Sequence, residues 1–126
     1  MPINTYEENR ILNASPIELV RILYTAATRA VQNARQHLRA GDIAARSKQI
    51  NFAQEIILEL AASVDPRKAP ELAERLLALY DYMQARLIEA NTEQKDEPLA
   101  VVDSLLHTLQ EGWSQVEDRE MAHAGR

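Results

Sequence analysis

Apolar residues recur along most of this chain at spacings of three and four, the period of a helix that turns one face to a core. The clearest run opens at Ser15-Pro16. Val20, Leu23, Tyr24, Ala27, Val31, Ala34 and Leu38 share one stripe, with Arg21, Thr25, Thr28, Arg29, Gln32 and Gln36 on the opposite side. Ser15 is placed to cap this helix, Pro16 takes a first-turn position that can spare its N–H, and Glu18 stands three residues past the cap, as in a capping box. Gly41 follows the last periodic residue and predicts the stop, giving a first helix over 16–40. Asp42 predicts the cap of a second helix over 43–63, with Ile43, Ile50, Ala53, Ile57, Leu60 and Val64 inward and the Asp65-Pro66 turn at its end. A third helix over 70–90 begins at Pro70 and turns Leu72, Leu76, Leu79, Tyr80, Met83 and Leu87 inward, with Asn91 suited to its C-terminus. Polar residues 91–97 lead to Pro98 and a fourth helix over 98–116, striped by Leu99, Val102, Leu105, Leu106, Leu109, Trp113 and Val116. Residues 117–126 lose the periodicity, and a frayed tail is the expectation there.

Four amphipathic segments of similar length, each about 30 Å long at ~1.5 Å per residue, predict an all-α fold. Short connections make it an antiparallel up-down four-helix bundle over 15–116 with an N-terminal arm, residues 1–14. The arm is mostly polar, yet carries Ile3, Tyr6, Ile11 and Leu12. Those apolar points suit either a cover for the end of the bundle or an arm that detaches.

Composition narrows the function classes. The chain has 126 residues, enough for one domain with a real core. Three glycines and five prolines leave few turn residues, which argues against an all-β fold. A net charge of −5 supplies no sequence-wide basic field, so nucleic acid is not an expected partner. Cysteine is absent, which removes disulfide and thiolate chemistry. No apolar run is long enough for membrane insertion or a signal peptide, so the expected location is the cytoplasm. The sequence does not fix the oligomeric state, with a monomer favoured.

Candidate chemistry is sparse. A di-metal carboxylate bundle needs inward glutamates and Glu-x-x-His on two helices. The one such match, Glu120-Met-Ala-His123, stands in the tail, and no Asp or Glu lies on the inward stripes. Asp103 and His107 are spaced as a surface pair on one helix face. There is no nucleophile elbow and no glycine-rich phosphate loop. The reading is therefore a non-enzyme with no cofactor and no metal.

What the pattern leaves over is apolar surface. Projected at about 100° per residue, Leu19, Ile22 and Ala26 on the first helix, Phe52, Ile56 and Leu58 on the second, and Leu77 and Ile88 on the third fall off the main stripes. One exposed apolar residue means nothing, but several on three helices suggest grooves for an amphipathic or extended segment. The competing reading is a broad core stripe that uses the same positions.

The same residues carry a family resemblance. Tyr6, Ala14-Ser15-Pro16 with Glu18-Leu19-Val20 and Leu23-Tyr24, Ala53-Gln54-Glu55-Ile56-Ile57 with Glu59-Leu60, Leu79-Tyr80-Asp81-Tyr82-Met83, Leu87-Ile88 with Ala90-Asn91, and Trp113 occur in an order and spacing that resemble the FliS flagellar secretion chaperones. Thr25-Ala26-Ala27 departs from the Asp-Gly-Ala that the family commonly places after Leu-Tyr. The resemblance implies a cytosolic bundle that binds the disordered C-terminal segment of flagellin in hydrophobic grooves, prevents its premature polymerisation and delivers it to the flagellar export gate. It also implies that Ile3 and Tyr6 contact the export-gate protein. The groove residues, from periodicity alone, are Leu19, Ile22, Phe52, Ile56, Leu58, Leu77 and Ile88. The alternatives are a regulatory helical-bundle interaction protein that binds a folded partner, and an enzyme or metal-storage bundle.

Overall fold

The computed structural model describes residues 15–124, with side chains to residue 116. These residues form four helices, α1 (Pro16–Ala40), α2 (Ile43–Ala62), α3 (Pro70–Glu93) and α4 (Glu97–Ala124), and the described residues contain no strand. Local chemistry sets each boundary. At the start of α1 the Ser15 hydroxyl accepts the Glu18 N–H at 3.2 Å, and Pro16 is the first helical residue. At its end Gly41 takes a left-handed φ of 75°, which costs glycine nothing. There the Gly41 N–H donates to the Leu38 carbonyl at 3.1 Å and the Asp42 N–H to the His37 carbonyl at 3.0 Å, the paired bonds of a Schellman stop. Asp42 then caps α2, its Oδ1 accepting the Ala45 N–H at 3.1 Å.

Two boundaries differ from the sequence expectation. Helix α3 runs past Ala90 to Glu93 because Asn91, expected to end the helix, is used otherwise: its Oδ1 accepts bonds from Ser47 and Arg46 on α2. The stop falls instead at Gln94, with a left-handed φ of 56°. Helix α4 begins at Glu97 and continues to Ala124, where the fading of the apolar pattern suggested fraying. Loss of amphipathicity removes a reason to pack, not a reason to be helical: residues 117–124 contain neither glycine nor proline and are rich in Glu, Arg, Met and Ala.

Consecutive helices run antiparallel. Bonds between α1 and α4 pair Thr25 with Gln110, Gln32 with Asp103 and Arg35 with Asp96, numbers rising on one helix as they fall on the other. Between α2 and α3, Ser47 meets Asn91 and Gln54 meets Gln84 in the same sense. Helix α1 packs on α2 and α4, and α3 packs on the same two, so α1 and α3 face each other across a square. The core between them is built from Tyr24, Val31, Ile50, Ile57, Leu60, Met83, Leu87, Leu99, Val102 and Leu106, all fully buried. Across the diagonal the Tyr24 and Tyr80 hydroxyls meet at 2.6 Å, so each buried hydroxyl finds a partner in an otherwise apolar centre.

Two residues expected in the core are exposed. Ile43 and Leu72 are 56% and 52% exposed. Each stands in the first turn of its helix, at an end of the bundle.

Candidate functional site

The polar ties show which edge of each helix faces which neighbour. On α1, Thr25, Gln32 and Arg35 reach α4, so Leu19 and Ala26 fall on the other edge, toward α2, whereas Ile22, three residues before Thr25, shares the outer face with it. On α2, Ser47 reaches α3 and the Gln54 carbonyl accepts from the Gln84 side chain of α3, and Leu58, four residues past Gln54, continues that edge. On α3, Gln84 and Asn91 reach α2, with Leu77 seven residues before Gln84 and Ile88 between them in the same row. Most of the expected groove residues therefore sort into two apolar seams on either side of α2. Leu19, Ala26 and Phe52 fall on the seam with α1, Leu58, Leu77 and Ile88 on the seam with α3, and Ile22 on neither.

Burial differs from one to the next. Leu58 is 65% and Ile88 56% exposed. Leu19, Ile22 and Leu77 are half-buried, and Phe52 is half-buried against the core. Ile56 is a correction. It is only 6% exposed and belongs to the core cluster, because the buried stripe of α2 is broad enough to take in its margin as well as Ala53, Ile57 and Leu60. For that position the broad-stripe reading holds. Ile3 and Tyr6, expected to contact an export gate, lie outside the described residues.

A third apolar feature sits at the end of the bundle where α1 begins. A cavity of about 230 Å³ opens there between Val20, Leu60, Val64, Leu72, Ala73, Leu76, Tyr80 and Trp113, with Ser63, Asp65, Lys68 and Ala69 also lining it. Sequence reasoning missed it, since Val20, Leu60, Leu72, Leu76 and Trp113 all read as ordinary core positions. The available signal was size: Ala69 and Ala73 stand where the opposing stripe offers only Val20 and Leu60, and two small side chains leave that end underfilled. Tyr80 forms part of the lining, bonded to Tyr24. Burial pushes the Tyr24 phenol above its ordinary pKa, opposed by hydrogen bonding to Tyr80 and Trp113. The Tyr80 phenol is also pushed up, by burial first and by the bond to Tyr24 second. Neither titrates near neutrality, so the pair acts as a hydrogen bond and not as a base.

No described cluster of three His, Cys, Asp or Glu is placed to hold a metal, and the side chains of Glu120 and His123 lie outside those described. Among the described residues no helix is long and apolar enough to cross a membrane. What the described surface offers is apolar contact along the seams and into the end cavity.

Comparison with known proteins decides the family. The profile of the family described as Flagellar protein FliS matches residues 1–120. The chain belongs to the FliS family. It is 36% identical over 110 residues to the flagellar secretion chaperone FliS of Salmonella typhimurium, covering 86% of this chain and 82% of that protein. It is 30% identical over 114 residues to the flagellar secretion chaperone FliS of Bacillus subtilis, covering 90% and 84%. With the flagellar secretion chaperone FliSB of Pseudomonas aeruginosa the identity is 32% over 109 residues, covering 86% of each chain. The family is one of chaperones and not of enzymes, in agreement with the sequence reading.

Proposed function

We propose that this chain is a cytoplasmic flagellar secretion chaperone that captures the disordered C-terminal segment of flagellin along the two apolar seams flanking α2. In this reading it keeps flagellin from polymerising early and delivers it to the flagellar export gate, with Ile3 and Tyr6 making the gate contact. The observation that carries the reading is the exposure of Leu58 and Ile88 outside the core cluster of the bundle, in a chain of the FliS family. Magnitudes favour capture. Covering a large apolar side chain contributes about 1.5–3 kcal/mol when fully exposed beforehand. Leu58 and Ile88, together with the open parts of Leu19, Phe52 and Leu77, can therefore offset the ~2–5 kcal/mol or more needed to order a disordered segment.

The test is a titration of purified chain with full-length flagellin and with flagellin lacking its C-terminal segment. Binding is expected for the first and lost for the second. Equal binding of both would overturn the cargo assignment and favour docking to a folded surface. For the arm, Tyr6→Ala is expected to spare flagellin binding and weaken association with the export-gate protein.

A further inference from the structure

The two ends of the bundle are fastened differently. At one end the short α3–α4 connection is gripped by two arginines from other helices. Arg35 of α1 donates to both carboxylate oxygens of Asp96, at 2.9 and 3.0 Å, and to Asp103 at 3.1 Å. Arg46 of α2, only 3% exposed, donates to the Asn91 side chain at 3.3 Å and to the Asn91 carbonyl at 3.4 Å, the latter at the C-terminal turn of α3 where a cation is favoured. Arg86 adds an ion pair to Glu97 across the same connection. All four helices meet in this knot.

Toward the other end the last described core tie is the Tyr24–Tyr80 hydrogen bond, and past it lies the cavity. Side chains around a void lack neighbours on one side and lose the dispersion contacts a filled core would give them. The cap of α3 is weak at the same place: Ala69 holds the N-cap position with no side-chain bond to the first-turn N–H groups. Leu72, which should seal that turn, is half open to solvent.

We propose that residues 63–73, the α2–α3 connection with the first turn of α3, form a lid over this cavity that opens locally while the arginine-tied end stays closed. Opening uncovers Leu76 and Trp113 without unravelling the core, since the Tyr24–Tyr80 bond marks the boundary between the part that moves and the part that does not. The bundle is thus a clamp hinged at one end. This is a property of the chain alone and does not depend on the flagellin reading.

Hydrogen exchange on the full chain without any partner tests it. Amides of Arg75–Leu77, which bond into the first turns of α3, and of Val64 are expected to exchange through local opening, at least about tenfold faster than those of Ile50, Ala53, Leu87 and Ala90. Ala69→Ser should supply the missing cap and slow the lid amides about three- to fivefold, leaving the tied end unchanged. Tyr24→Phe should leave the lid amides within about twofold of wild type, because the bond it removes is intact in both the closed and the open state. Equal exchange at the two ends in the wild-type chain, or a uniform response of both ends to Ala69→Ser, would overturn the proposal even if Tyr24→Phe failed to fold. Because flagellin is absent throughout, a failed flagellin titration leaves this result standing, and the reverse holds too.

Discussion

Ile56 and Leu58 sit two residues apart on α2, with similar side chains and opposite surroundings: the first is sealed in the core cluster, the second is 65% exposed beside α3. A charge placed at each should therefore fail in different ways. Ile56→Asp puts a carboxylate where nothing can solvate or pair it, and is expected to cost about 3–5 kcal/mol of folding stability. Leu58→Asp meets water at once, so its stability should stay within about 0.5 kcal/mol of wild type. If the seam captures flagellin, the same Leu58→Asp change should weaken binding about ten- to a hundredfold, the equivalent of one lost apolar anchor. Thermal melts and a flagellin titration on both variants separate the roles. A Leu58→Asp protein that binds normally would remove the α3-side seam from the site. Phe52 is the intermediate case, half-buried against the core, and Phe52→Asp should lose both stability and binding.

Helix boundaries were legible because they depend on neighbours within a few residues. Ser15, Gly41 and Asp42 act through caps that need no tertiary partner, and α1 begins and ends where those residues place it. The end of α3 was not legible in this way, since what carries Asn91 into the helix is Ser47 and Arg46, more than forty positions away in the chain. The resulting stop at Gln94 leads to a prediction. A non-glycine residue in the left-handed region costs about 1–2 kcal/mol, whereas glycine adds only ~0.5–1 kcal/mol of unfolded-state freedom. The Gln94 side chain offsets little of this, because its contact from Arg46 is 3.5 Å long and so at the limit of a hydrogen bond. Gln94→Gly should therefore stabilise the chain by roughly 0.5 kcal/mol, read as a higher urea midpoint with unchanged slope. A lower midpoint would mean that the Arg46 contact outweighs the backbone strain. The site was partly legible for the same physical reason. Periodicity places Leu58 and Ile88 off the stripe correctly, but it cannot tell how wide a stripe the assembled neighbours will cover, which decided Ile56. Nor can it show a void, which arises from the sizes of Ala69 and Ala73 measured against residues on two other helices.

At one end of the bundle, charges on Arg35 and Arg86 tie different helices together. Arg35 links α1 to the start of α4 through Asp96 and Asp103, and its hydrogen bonds hold the Asp96 carboxyl below the ordinary carboxylate pKa. The sign of the pH dependence follows. A carboxyl whose pKa is lower folded than unfolded contributes its stability above the unfolded value, about 3.9 for Asp, and loses it as pH falls through the lower folded value. Stability should then be flat from neutral pH down to about 4.5 as far as this pair is concerned, and fall below about pH 4. Asp96→Asn, which keeps the shape and removes the titrating group, should be less stable than wild type at neutral pH, and the gap should narrow as the pH is lowered through the same range. The Asp96 side chain is 40% exposed, so solvent and salt screen the pair. The gap should accordingly shrink in high salt at neutral pH. Urea midpoints of the two proteins between pH 7 and pH 2.5 provide the measurement. A gap that stays constant over the whole range would show that Asp96 acts through its shape and not its charge. In that case the tied end would be held chiefly by Arg35 with Asp103 and by the buried Arg46 with Asn91.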